Sequence, residues 1–284
     1  MEPVLTISIP TWHNPQQLGW CIRSLLQYTD YPYKVIVVDN GGDSDIEDWI
    51  GEVWNRVEVL RPGHNLGWCK AQNLVLNRCD TPYFCCLNDD VVFLPSQATF
   101  WRALIEHFAD PKLAAVAPCS NFVAGAQSLM QMDIPNLCET SLLIGMCAVF
   151  HTDRLKEVGG FDESLPGGDD LDWSIRLRQA GYKLAINRFC YLHHFGQQTG
   201  KRVKGDWWDS DEHSEITNNA LIRKHGIKAW YDTFQARAWP MESMTETYAK
   251  EQSDESWVGS RLGKYCGNGA VGINIGCGNQ QARG

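Results

Sequence analysis

Two acid-rich stretches carry the side chains best suited to chemistry. In CCLNDDVVFLP, residues 85–95, Asn88, Asp89 and Asp90 stand between two apolar runs. Adjacent carboxylates in such a place repel one another and lose hydration, a cost that a hard divalent cation offsets. Mg²⁺ or Mn²⁺ takes one or two protein carboxylates and completes its shell with water and phosphate oxygens, so a nucleotide diphosphate fits as the companion ligand. In GGFDESLPGGDDLDWSIRL, residues 159–177, the Gly167–Gly168 pair frees the backbone just before Asp169, Asp170 and Asp172. The helix dipole favours an acid in a first turn, which explains one of these more readily than three. A carboxylate so placed can take the proton of an attacking hydroxyl. A third candidate is CYLHHFGQQTGKR, residues 190–202. Consecutive histidines on a strand point to opposite faces, so one of His193 and His194 can enter a site, as a ligand or as a packed, hydrogen-bonded ring. Lys201, Arg202 and Lys204 follow, as a solvated loop or as a lid that meets a diphosphate.

The elements around these residues give them a common edge. VLTISIP (4–10), YKVIVVDN (33–40), VEVLRP (57–62) and PYFCCLN (82–88) read as strands. Between them, HNPQQLGWCIRSLLQYT offers Asn14 as N-cap, Pro15 at the first helical position and an apolar face of Leu18, Cys21, Ile22, Leu25 and Leu26. GWCKAQNLVLNRC is the next helix. This alternation predicts an α/β fold with a mainly parallel sheet flanked by helices. Ligands of such sheets bind beyond the carboxyl ends of the strands, where Asp39, Asn40, Asn88, Asp89 and Asp90 all emerge. DNGGDSD (39–45) is equally readable as turn chemistry. GHNLGWCKAQN (63–73) sets a Gly-rich turn before a helix, as a capped loop or as a cradle of backbone N–H groups for an anion. DWWDSDEHSEITNNALIRKHGIKAWYDTF (206–234) predicts a C-terminal helical extension whose Trp207, Trp208, Trp230 and Tyr231 pack a core or line an acceptor groove.

Composition narrows the class. A net charge of −9 argues against a nucleic-acid surface. MEPVLTISIP is not a signal sequence, and no window reaches the ~18 apolar residues of a membrane span, so a soluble, cytoplasmic protein is expected. Eleven cysteines without paired CxxC spacing point to reduced, mostly buried thiols.

VLTISIPTWHN, VIVVDNGGDSD, NLGWCKAQNLVLN, LNDDVVFLP and VGGFDESLPGGDDLDWSIRLRQAGY, in this order over about residues 4–226, resemble the family 2 glycosyltransferases of GT-A (Rossmann-like) fold, in a rhamnosyltransferase-like form. The resemblance implies an inverting transfer of a sugar from a nucleotide-diphosphate sugar to a glycan or other hydroxyl acceptor, assisted by Mg²⁺ or Mn²⁺. It implies nucleobase recognition at Asp39 and donor contacts from Pro10, Thr11, Asn65, Gly67 and Asn73. The family's DxD motif falls on Asn88, Asp89 and Asp90, with Asp90 at the metal and Asn88 replacing the first acid. Asp170 is implied as the catalytic base beside Asp169 and Asp172, and His194, rather than His193, as the residue completing the metal shell. A nucleotidyltransferase would want a Gly-rich, Lys- or Arg-bearing turn after the first strand, which PTWHNPQQLGW lacks; a non-catalytic nucleotide-sugar-binding module is the other alternative, kept open by Asn88.

The expected organisation is a glycosyltransferase domain over 1–235, with a nucleotide-binding half to about 95 and an acceptor and catalytic half from about 96, then a connector over 236–264. Within 265–284, AVGINIGCGNQQARG resembles the first motif of class I methyltransferases that bind S-adenosylmethionine, implying a further methyltransferase domain in a longer chain.

Overall fold

The computed structural model describes residues 2–42, 45–131, 134–196, 205 and 210–236. The first strand, β1 (Leu5–Thr11), is buried at every position, as befits the middle of a sheet covered on both faces. It pairs in parallel with β2 (Tyr33–Asp39) on one side and β4 (Tyr83–Leu87) on the other, and β3 (Val57–Leu60) extends the parallel run beyond β2. The four strands expected from sequence therefore form one parallel block. Thr11 and Asp39 stand side by side at its carboxyl edge.

The second half of the sheet departs from a simple parallel reading. β8 (Cys147–His151) lies antiparallel between β4 and β6 (Leu113–Ser120), while β9 (Lys183–His194) runs parallel to β6. β7 (Leu137–Thr140) flanks the start of β9. The order is β3-β2-β1-β4-β8-β6-β9-β5, where β5 is Val91–Val92, with β7 also on β9. The register of β6 against β9 shifts between Pro118 and Cys119, whose partners are Asn187 and Tyr191. Such an irregularity bends a strand, and beyond it the end of β9 pairs with the two-residue β5 (Val91–Val92), setting His194 opposite Val91.

Helix α1 (Pro15–Tyr28) begins at Pro15 as expected, and Leu18, Cys21, Ile22 and Leu25 are buried against one face of the sheet. The short α2 (Ile46–Ile50) packs on α1. Asn14 makes no side-chain cap bond; it lies beside Asp89 instead. Helix α4 (Phe100–Ile105) joins the same face, and α3 (Gly67–Leu76), α5 (Thr152–Glu157) and α6 (Asp169–Gln179) cover the other. Helices α7 (Asp211–His225) and α8 (Ile227–Gln235) form the C-terminal extension, broken at Gly226. Trp230 and Tyr231 are buried with Leu142, Ile144, Leu171 and Leu221, so these aromatics pack a core. Trp207, Trp208 and Lys201 to Lys204 lie outside the described residues, as do the connector from 237 and the methyltransferase-like tail. The nine cysteines among the described residues are free thiols, eight of them buried. No helix among the described residues is long and apolar enough to cross a membrane.

Candidate active site

The parallel block delivers its polar groups to one edge. Asp89, 6% exposed, accepts from Thr11 Oγ1 at 2.7 Å, so the β4 turn is tied to the end of β1. Burial and the charge of Asp90 push the Asp89 carboxyl up to about 7, against the bonds from Thr11 and Asn14. At the end of β2, Asp39 Oδ1 accepts the backbone N–H groups of Gly41 and Gly42, and Arg61 Nε stands 3.4 Å from its Oδ2. Asn40 reaches across to the next loop, accepting the Leu66 N–H at 3.2 Å.

Asp90 and His194 meet where β5 pairs with β9. His194 Nδ1 lies 2.7 Å from the Phe122 carbonyl oxygen, which can only accept, so that nitrogen carries the proton. In the neutral ring Nε2 is then the lone-pair nitrogen, and it faces Asp90 Oδ1 at 3.1 Å. Both atoms are buried and neither meets hydrogen-bond geometry with another group of the described residues. Two electron-rich atoms converging on one point fit a divalent cation, and the Phe122 carbonyl supplies the outer contact that orients a metal-binding imidazole. Burial lowers the His194 pKa, but the nearby Asp90 carboxylate and the Phe122 carbonyl outweigh it and leave the pKa raised, so that without a cation the ring is drawn toward a proton at Nε2 facing Asp90. Asn121 holds the strand here from both sides, accepting the His194 N–H and donating to its carbonyl. Among the described residues no group of three or more His, Cys, Asp or Glu side chains forms a metal cage, so a cation held by Asp90 and His194 would draw the rest of its shell from water and substrate oxygens.

The second acid cluster joins the first through the backbone. Asn88 N–H donates to the Met146 carbonyl at 2.8 Å, and the neighbouring Gly145 N–H donates to Asp170 Oδ1 at 2.8 Å. Asp170 thus stands at the start of α6, two residues past Gly168, whose φ of 72° is a left-handed conformation that glycine adopts without strain. Desolvation pushes the Asp169 carboxyl up to about 6. Asp172 has a different job. It is 1% exposed and takes Arg176, Lys224 and His225 at 2.6, 2.5 and 2.7 Å, clamping α7 to α6. Burial raises its pKa, but these three partners outweigh that and leave it lowered.

The remaining candidates shape the walls. Asn65 Oδ1 accepts the Gly67 N–H at 2.8 Å, forming the turn into α3. Asn73 donates to the Phe161 carbonyl and Glu163 and accepts the Phe161 N–H, fastening α3 to the loop before α6. Pro10 is buried in β1 next to Thr11. His193 faces away from Asp90, against Tyr191 and Phe195. The sequence reading missed Arg61, Asn121, Gly145 and Trp68. Only Gly145 left a readable trace, a glycine inside the apolar run LLIGMCAVF, which marks a close approach.

This mixed sheet with its acid-lined edge is the GT-A fold of glycosyltransferases. A mannosyltransferase from Pyrobaculum calidifontis, PcManGT, solved with GDP-Man and Mn²⁺, superimposes with a TM-score of 0.63 at 17% identity over 94% of this chain and 82% of its own. GalNAc-T7, solved with UDP, GalNAc and Mn²⁺, does so with a TM-score of 0.59 at 14% identity over 89% of this chain and 58% of its own. Residues 6–144 match the model of glycosyl transferase family 2. Among curated relatives, the pre-mycofactocin glycosyltransferase of Mycobacterium tuberculosis (strain CDC 1551 / Oshkosh) is 30% identical over 207 residues, 67% of this chain; the match spans 42% of that relative's length. The O-antigen chain rhamnosyltransferase RfbN of Salmonella typhimurium is 23% identical over 224 residues, covering 72% of this chain and 71% of that one.

Proposed function

We propose that this chain transfers a sugar from a nucleotide-diphosphate sugar to a hydroxyl of a glycan or related acceptor, with inversion at the anomeric carbon and a divalent cation at the leaving diphosphate. The observation that carries the reading is the pairing of two acid sites with different surroundings. Asp90 and His194 turn lone pairs toward one point, and Asp170, held by the Gly145 N–H, stands across the Asn88–Met146 link.

Asp39 at the end of β2 is the nucleobase contact, with Thr11 and the Asn65–Gly67 turn on the same edge. Asp90 and His194 hold Mg²⁺ or Mn²⁺, which when bound neutralises charge on the leaving diphosphate. Asp170 takes the proton of the acceptor hydroxyl as its oxygen bonds to the anomeric carbon, while the bond from that carbon to the diphosphate oxygen breaks and its electron pair leaves with the nucleoside diphosphate. One base opposite one leaving group makes a single displacement, so the anomeric configuration inverts. The printed names of the relatives differ in acceptor, pre-mycofactocin in one and an O-antigen chain in the other.

The test is a transfer assay with UDP-, dTDP- and GDP-sugars and hydroxyl acceptors, with Mn²⁺ or with a chelator, the product read by NMR. Transfer that needs the metal and gives an inverted anomer is expected. A retained anomer would overturn the single displacement, and full activity in chelator the role of the cation.

A further inference from the structure

Asn88 has an oriented amide. Trp68 Nε1 donates to Asn88 Oδ1 at 3.3 Å. An indole N–H can only donate, so the oxygen faces Trp68 and the NH₂ group is turned away from it. That NH₂ makes no hydrogen bond among the described residues, and Asn88 is half-buried rather than sealed in the core.

The same indole reaches the other acid site. A Cβ built on Gly145 would lie 3.4 Å from Trp68 Cζ2 and Cη2 and 3.0 Å from Asp170 Oδ1. A side chain at position 145 would therefore crowd the carboxylate and press on the ring, and glycine leaves both their room. Phe161 meets the indole edge-on, with centroids 5.1 Å apart at 84°, and holds its plane. Trp68 thus has its N–H at Asn88, its benzo edge at Gly145, whose own N–H bonds Asp170, and part of its surface open.

We propose that Trp68 is a specificity-determining residue for the donor sugar: its ring is the apolar wall on which a pyranose C–H face lies, and Asn88, turned by the indole N–H, donates from Nδ2 to a sugar hydroxyl. This rests on the glycosyl transfer read above, because only a group spanning the diphosphate and Asp170 must pass this ring. An apolar wall with a few fixed polar groups is how pockets orient a small ligand. It also gives the Asn in place of an acid a chemical meaning. A carboxylate at position 88 would offer acceptors alone, whereas this amide offers a donor, so the sugar hydroxyl it meets accepts.

The experiment is titration calorimetry with Mn²⁺ on the full chain, comparing UDP-glucose, dTDP-rhamnose and GDP-mannose with free UDP, dTDP and GDP. The quantity read is the gain in affinity that the sugar adds to its diphosphate. In the wild type at least one sugar adds affinity. Trp68→Phe keeps a ring against Phe161 but loses the N–H, and is expected to lower that gain about fivefold, the scale of one hydrogen bond. Trp68→Ala and Asn88→Asp are expected to lower it by about tenfold or more, with the free diphosphate changed by less than about threefold in Trp68→Phe. If Trp68→Ala loses its fold by circular dichroism, Trp68→Phe decides. An unchanged gain in Trp68→Phe and Asn88→Asp, or no gain for any sugar in the wild type, overturns the role of Trp68 and leaves the transfer reading standing. A wild type that binds no nucleoside diphosphate with Mn²⁺ overturns both.

Discussion

At the scale of single residues, the carboxylates of this site differ in what holds them, and the differences predict distinct losses. Asp170 receives the Gly145 N–H and stands at the first turn of α6, whereas Asp90 faces His194 Nε2, which offers a lone pair when the ring is neutral. Asp170→Asn keeps shape and is expected to retain donor affinity while transfer falls about 10²-fold or more, the scale of lost general-base catalysis. Asp90→Asn and His194→Ala are expected instead to weaken Mn²⁺-dependent binding of the nucleoside diphosphate by about tenfold or more, since each removes one of the two grips assigned among the described residues. Calorimetry and turnover on the same four proteins, with Asp169→Asn as the neighbour control, separate the two effects. Collapse of turnover in Asp169→Asn with a near-normal Asp170→Asn would move the base by one residue. These acids were visible in sequence because each breaks an apolar pattern at a strand end or a helix start. Arg61 on Asp39 and Asn121 on His194 were not, since an ordinary polar residue far along the chain gives no local sign of the partner it will meet.

At the scale of elements, the arrangement of α6 depends on Asp172. This acid lies two positions beyond Asp170 on the same helix and gathers Arg176 from α6 with Lys224 and His225 from the end of α7; Arg176 also ties the Val158 and Gly160 carbonyls. Removing one partner of a buried ion cluster leaves the others uncompensated, so Asp172→Asn is expected to destabilise the fold by roughly 3 kcal/mol. The pH dependence follows from the lowered pKa. A carboxylate held below its unfolded value contributes fully above that value, about 4, and loses the contribution as pH falls through the folded pKa. Thermal melts from pH 7 down to about 3.5 should therefore show the gap between wild type and Asp172→Asn closing at the acid end; a gap independent of pH would mean that the amide lost packing rather than charge. Elements were legible in proportion to their regularity. The β-branched strands β1 and β2 and the Pro15 start of α1 stand out in the sequence. β6 reads LAAVAPCS, where alanines and an internal proline hide a strand, and the antiparallel β8 between β4 and β6 has no local cue because its partners are set by the whole sheet.

At the scale of the whole molecule, the sheet is one body with the two halves of the chemistry at neighbouring strand ends. β4 brings Asn88 to Asp90 from the first part of the chain, β9 brings His194 from the second, and the register shift after Pro118 lets β9 reach β5 and close the pair. Helix α7 then packs on Gly167 and Gly168, where an added Cβ would meet Thr217 and Leu221, so the extension backs the turn that presents Asp169 and Asp170. All residues assigned here to donor, cation and base precede position 237. Deleting 265–284 is therefore expected to leave donor affinity and turnover within about twofold of the full chain, a difference of well under 1 kcal/mol in transition-state stabilisation. The same truncation should keep the full chain's melting temperature, because the α7–α8 clamp on α6 is retained. Donor affinity, turnover and a thermal melt on the two proteins check this. A truncated chain that melts normally and binds the nucleoside diphosphate but has lost transfer would show that the tail takes part in holding the acceptor over Asp170.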